Sequence, residues 1–198
     1  MSDRGLGGDA VALLLTLMET PEAELSGEAL RDFYPAAGAA LIAAGALQPN
    51  GYEPVATCLA DHDDEPVSLT WRDDLNGYAY FSPSVGWVKV EHERLKQYRV
   101  DFPWLLAILA RQLRVPHTIE PRCLVDDHLW EMGPAWIGHR KHTRPVYLGR
   151  RLHHPEVLEA ACQALRQRAN GRAGLLLITG TAPPSYATIY AANSVPEV

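Results

Sequence analysis

Cysteine is scarce in this chain, basic residues are scarce in its first part, and long apolar runs are absent. The three cysteines, Cys58, Cys123 and Cys162, lie far apart with no paired spacing, which argues against a disulfide framework and for a reducing compartment. The longest apolar run near the N-terminus, Ala10 to Leu15, is far below the roughly 20 residues a membrane span needs. The chain opens Met-Ser-Asp-Arg with no basic stretch before an apolar one, so no secretory signal is readable. A cytoplasmic protein without a membrane partner is the expectation. No Gly-x-Gly-x-x-Gly occurs, and Gly171-Arg172-Ala173-Gly174 precedes a strand rather than following one. Nucleotide binding therefore lacks support and no cofactor is expected.

What is present is a lopsided charge. Residues 1–75 hold three basic residues (Arg4, Arg31, Arg72) and fourteen acidic ones, a formal −11, while residues 76–198 hold fifteen and ten, +5. Sign asymmetry of this kind speaks to partners rather than to fold. The basic excess is densest between His139 and Arg172, where Arg140, Lys141, Arg144, Arg150, Arg151, Arg166, Arg168 and Arg172 face only Glu156 and Glu159. The chain is 47% apolar and 21% charged over 198 residues, enough to bury a core in one large domain or two small ones.

Helical spacing of Val11, Leu14, Leu15 and Met18 after Asp9 predicts a first helix to about Glu19. Ser26 opens a second, short helix ended by Pro35, and Ala36 to Leu47, entirely Ala, Leu, Ile and Gly, reads as a third. Gln48-Pro49-Asn50-Gly51 signals a turn, and Tyr52 to Leu59 has strand character. Val67–Trp71 and Tyr78–Val90, separated by Asp73-Asp74-Leu75-Asn76-Gly77 and broken again at Ser82-Pro83-Ser84, predict a three-stranded antiparallel meander. Glu91–Gln97 and Phe102–Leu113 read as helices. Arg122–Val125, Leu129–Met132, Ala135–Ile137 and Arg144–Leu148 read as short strands, with a turn at Asp126-Asp127. A helix over Pro155–Arg168 followed by a strand at Gly174–Thr179 completes a βαβ unit, and residues 181–198 read as a loose tail. The fold class is α+β, with an acidic helical module at 1–65 and an α/β module at 66–198.

Three helices ending in Leu41-Ile-Ala-Ala-Gly-Ala-Leu47, then a turn and a strand, resemble the winged-helix superfamily over about residues 9–60. The resemblance implies a three-helix module, and in DNA-binding members the third helix reads base edges. Here that helix departs from them: between Pro35 and Gly51 there is no Arg or Lys, and Gln48 and Asn50 are the first side-chain amides. An apolar helix in an acidic domain has little with which to read bases or meet phosphate. A winged helix of this composition is expected to pack against protein.

The chemistry-bearing candidates are few. Arg150 and Arg151 follow a strand and precede the helix at Pro155, so their side chains are expected to project from a loop at a strand's C-terminal end, where ligands sit in open α/β units. With Arg140, Lys141 and Arg144 they are the candidate contacts for phosphate or a partner subunit. Arg166, Arg168 and Arg172, at a helix C-terminus, have a plainer role in offsetting its dipole. Cys58 and His62, in a loop with Asp61, Asp63, Asp64 and Glu65, are zinc candidates that lack Cys-x-x-Cys spacing, so no bound metal is expected. Asp126, Asp127 and Glu131 resemble the carboxylates of metal-dependent nucleases of the restriction-endonuclease class, but Glu131-Met132-Gly133 lacks the lysine of the acidic-x-Lys element. Trp71, Tyr78, Tyr80, Phe81 and Trp87 are either cross-strand core pairs or a stacking surface. The leading expectation is a non-catalytic accessory protein of a nucleic-acid-handling assembly. Its acidic half would dock a protein and its basic face would meet phosphate or another subunit. The alternatives are a metal-dependent nuclease or other small hydrolase, and a winged-helix transcription regulator.

Overall fold

The computed structural model describes residues 6–56, 66–136, 142–168 and 174–180. Among them the chain is α+β, with five α-helices and mostly antiparallel sheets. It forms two compact units: Met1–Leu17 with Pro21–Asp101, and Met18–Thr20 with Phe102–Val198. By sequence the first holds sixteen acidic and seven basic residues, net −9, and the second eight and eleven, net +3. No helix among the described residues is long and apolar enough to cross a membrane.

In the first unit, α1 (Gly8–Met18) buries Ala10, Leu13, Leu14 and Leu17, which recur at helical spacing. Strand β1 (Glu24–Ser26) leads into α2 (Gly27–Asp32), whose N-cap Ser26 accepts a hydrogen bond from the Ala29 N–H at 3.2 Å. Helix α3 (Pro35–Ala44) starts on a proline, which has no N–H to leave unpaired. It ends where Gly45 turns left-handed (φ 83°) and Ala46 N–H reaches back to the Leu41 carbonyl at 2.9 Å.

Strands β2 (Leu47–Tyr52) and β8 (Lys96–Val100) complete an antiparallel sheet in the order β1-β8-β2. Both depart from the expectations above. Residues 48–51 are not a turn but part of β2. Because β2 lies at the sheet edge, Pro49 can stand opposite Tyr98, and the register shift before Tyr52 absorbs Gly51 at φ +93°. Glu91–Gln97 is not a helix: a single 3-10 turn, His92–Leu95, runs straight into β8.

Between them lie β3 (Val55–Ala56) paired with β4 (Val67–Ser68), and the meander β5 (Thr70–Arg72), β6 (Gly77–Ser82), β7 (Gly86–Lys89). The meander is as expected and belongs to the first unit. Its inner face supplies Tyr80 to a core of Ala56, Leu69, Val90 and Leu95. The other aromatics are more open: Trp71, Phe81 and Trp87 are 50%, 56% and 41% exposed, with Phe81 edge-on to Trp87 and Arg72 over the Trp87 ring at 4.7 Å.

The second unit contains α4 (Phe102–Gln112), β9 (Arg122–Val125), β10 (Leu129–Ala135), β11 (Arg144–Gly149), α5 (Pro155–Arg168) and β12 (Leu175–Ile178). The sheet order is β12-β11-β10-β9. Strands β11 and β12 are parallel, joined through α5 as the βαβ pattern predicts, and the other pairs are antiparallel. Leu129–Met132 and Ala135 are one strand rather than two, interrupted only by a bulge at Gly133 (φ +108°). A side chain at Gly133 would crowd Ile119 and Val115. Strands β10 and β11 are buried on both faces. Leu129 and Tyr147 pack with Val157, Ala161 and Leu165 of α5, while Trp130 stacks on Phe102 of α4 with centroids 5.0 Å apart.

Candidate functional site

The loop between β11 and α5 brings the sequence candidates Arg150 and Arg151 to the carboxyl end of a parallel strand pair. There the two part company. Arg150 does not project from the loop: its side chain is 0% exposed, the largest fully buried side chain among the described residues. Its guanidinium donates from Nε to the Met18 carbonyl (2.7 Å), from Nη1 to the Asp127 carbonyl (3.2 Å) and from Nη2 to the Thr20 carbonyl. The cation also lies 5.3 Å from the centre of the Phe102 ring. A buried charge is tolerable only when hydrogen bonds replace its hydration, and the planar fork of arginine reaches three carbonyls that a lysine could not. The expectation that the Arg150 side chain projects from the loop is thereby corrected.

Arg151 is partly exposed and adopts a left-handed backbone (φ 55°). This aims its N–H at the Glu19 carboxylate, 3.2 Å away. Glu19 also accepts from the Thr179 hydroxyl and pairs with His153 Nδ1 at 3.1 Å. Arg151 Nη2 is 3.3 Å from His154 Nε2, and the rings of His153 and His154 are 4.1 Å apart. His128, on the β9–β10 turn beside this loop, has its Nδ1 buried without a partner. Burial, and then the positive charges of Arg150 and Arg151, hold its imidazole below the usual range.

The other candidates do not assemble. Asp126 and Asp127 lie exposed on the β9–β10 turn, whereas Glu131 is half-buried on β10 and pairs with Arg168 at 3.4 Å. No three His, Cys, Asp or Glu side chains among the described residues are grouped to hold a metal ion. Arg144 begins β11 opposite Ala135 and is partly exposed. Cys58, His62, Arg140 and Lys141 lie outside the described residues. Cys123 is exposed and Cys162 buried, and desolvation pushes both thiols up, so neither is primed as a nucleophile.

In the first unit the outward face of α3 is Pro35, Ala36, Ala39, Ile42, Ala43 and Ala44, with Phe33 65% and Tyr34 41% exposed just before it. A cleft of about 400 Å³ opens beside this joint, lined by Ala12, Leu13 and Thr16 of α1 and by Phe33, Tyr34 and Pro35, and Asp9 is its one charged residue.

Sequence reasoning missed Glu19, Thr179 and His128. Glu19 carried no signal beyond standing at the end of a helix, and its partners are more than 130 residues away. Comparison with protein-family models, curated proteins and solved structures finds no match to this chain.

Proposed function

We propose that this chain is an accessory protein of a nucleic-acid-handling assembly whose first unit is a winged-helix-like module docking a protein partner. The observation that carries the reading is the outward face of α3, which offers only proline, alanine and isoleucine with Phe33 and Tyr34 beside it. Such a face has nothing to pair with base edges, while exposed apolar patches mark protein contacts. In support of the winged-helix resemblance, three helices precede the sheet strand at Leu47, and the last ends at Gly45 within the Ala-Gly-Ala-Leu phrase. The partner is a segment with an apolar face and basic flanks, complementary to a unit of net −9 whose cleft carries Asp9. The second unit contacts phosphate or a further subunit through Arg144 and Arg151, with Arg140 and Lys141 as candidates by sequence. The regulator reading is weakened by the same apolar face, and the metal-nuclease reading by the dispersal of Asp126, Asp127 and Glu131.

A photo-crosslinking residue placed at Phe33 or Ile42 tests this in cells. It should capture one protein that is not captured from Val85, and a basic-to-acidic change in the captured segment should abolish capture. Duplex DNA binding at physiological salt that Ile42→Asp weakens tenfold would instead make α3 a DNA-reading helix.

A further inference from the structure

The cleft beside Phe33 and Tyr34 lies within the first unit, between α1 and the first turn of α3. At about 400 Å³ it is large enough to take a ligand or a side chain from a partner. Asp9, Ala12, Leu13 and Thr16 line it from α1 at i, i+3, i+4 and i+7, so one stripe of that helix faces the space.

The polar atoms of this stripe are acceptors. Asp9 brings an exposed carboxylate, the one charge in the lining among the described residues. Thr16 Oγ1 donates its proton to the Ala12 carbonyl at 2.9 Å, so its oxygen has only lone pairs left for a ligand. The rings of Phe33 and Tyr34, 65% and 41% exposed, add π faces that attract positive charge. Against this stand two helix ends. Helix α1 begins at Gly8, and the first turn of α3 lines the cleft with no side-chain cap from Tyr34. Each end counts for about half a positive charge, and the pair would roughly balance one carboxylate. The surrounding unit, net −9, tips the balance toward a cation.

We propose that this cleft is the socket for an arginine side chain of the protein partner. The guanidinium meets Asp9 and the Thr16 oxygen beside the two rings, and its methylene stem runs along Leu13 and Pro35. Arginine only donates, forks onto carboxylates and stacks on aromatic rings, which suits a lining of acceptors and π faces. This rests on the reading that the α3 face docks a protein, and it states what the basic flank of that segment does.

The probe is n-butylguanidinium, an arginine side chain without its backbone. It is titrated into the full chain beside n-pentanoate, a chain of similar size and opposite charge. Ring resonances of Phe33 and Tyr34 should move saturably with butylguanidinium and not with pentanoate. Asp9→Asn should weaken butylguanidinium binding about threefold, and Phe33→Leu by a similar factor. Circular dichroism separates loss of the site from loss of the fold, and the contrast between the probes in the unaltered protein decides if a variant unfolds. In the crosslinking experiment, Asp9→Asn should reduce capture from Ile42. Tighter binding of pentanoate would mean that the helix ends govern the cleft and would overturn the proposal. Butylguanidinium binding seen only in Arg4→Ala would assign the socket to the chain's own arginine, with the same result. Capture that Asp9→Asn leaves unchanged, with no butylguanidinium binding, would overturn the socket while the docking reading stands. Butylguanidinium binding with no capture from Ile42 would overturn the docking reading and the partner assignment together, leaving a site for a free cation.

Discussion

The two units use their cations in different ways. In the first, net negative unit, arginines and lysines meet carboxylates near the surface: Arg72 pairs with Asp74 at 2.9 Å, Lys96 with Glu93 at 2.6 Å, and Arg94 with Glu28 at 2.5 Å and Asp32 at 3.0 Å. The hydrogen bonds hold Arg72 and Lys96 above their usual ranges and Asp74 below its own. In the second, net positive unit, Arg150 is fully buried and serves backbone carbonyls, while Arg151 keeps company with histidines. A surplus of basic residues is therefore not the same thing as a basic surface. Which arginines are available to a partner is decided by what the chain lays across them.

Removing Arg150 should have the largest effect. Arg150→Ala should cost the second unit roughly 3–5 kcal/mol, because the buried guanidinium's hydrogen bonds to the Met18, Thr20 and Asp127 carbonyls are all lost. Arg151→Ala should cost less than about 1 kcal/mol, as expected of a partly exposed charge. Hydrogen exchange of the β10 and β11 amides measures the unit directly. Equal losses for the two variants would mean that the buried fork is not what holds this loop.

Next in size is Arg94→Ala in the first unit. It removes the guanidinium that meets the Glu28 carboxylate, 5% exposed, and should cost about 2–3 kcal/mol, with part restored when Glu28→Ala is added. If urea unfolding shows no recovery in the double variant, the pair matters through packing and not through charge.

The smallest effect is the pH response of His128. Its folded pKa is depressed, so the unfolded chain binds the extra proton more readily. Stability is then fully present above the unfolded value near 6.5 and declines as pH falls from there toward the lower folded value. Between pH 7 and 5.5 the melting temperature should drop by a few degrees at most, and His128→Gln should flatten that slope. A slope that persists in the variant would assign it to other groups.

Much of the secondary structure was legible along the chain. The helices α1, α4 and α5, the Asn-Gly turn of the meander and the strand-helix-strand rhythm of residues 144–178 follow local patterns, although Val11 and Leu15, two of the residues whose spacing predicts α1, are 40% and 41% exposed. Strands β2 and β8 were not legible. A Pro-Asn-Gly run and a polar Lys-Gln-Tyr-Arg run become strands only because each finds the other, β2 taking the edge where a missing N–H is harmless.

The site divided in the same way. The two charge regimes, the cation-free third helix and the Arg150-Arg151 pair between a strand and a helix can be read along the chain. That Arg150 is inside and that Glu19 pairs with His153 follows from packing between distant stretches. Arg150 reaches Met18 and Thr20 across 132 and 130 positions, and Thr179 reaches Glu19 across 160. Hydrogen-bond partners at such separations leave no periodicity to read. The cost of burying a guanidinium or fixing a carboxylate is settled wherever folding happens to bring carbonyls and donors within about 3 Å.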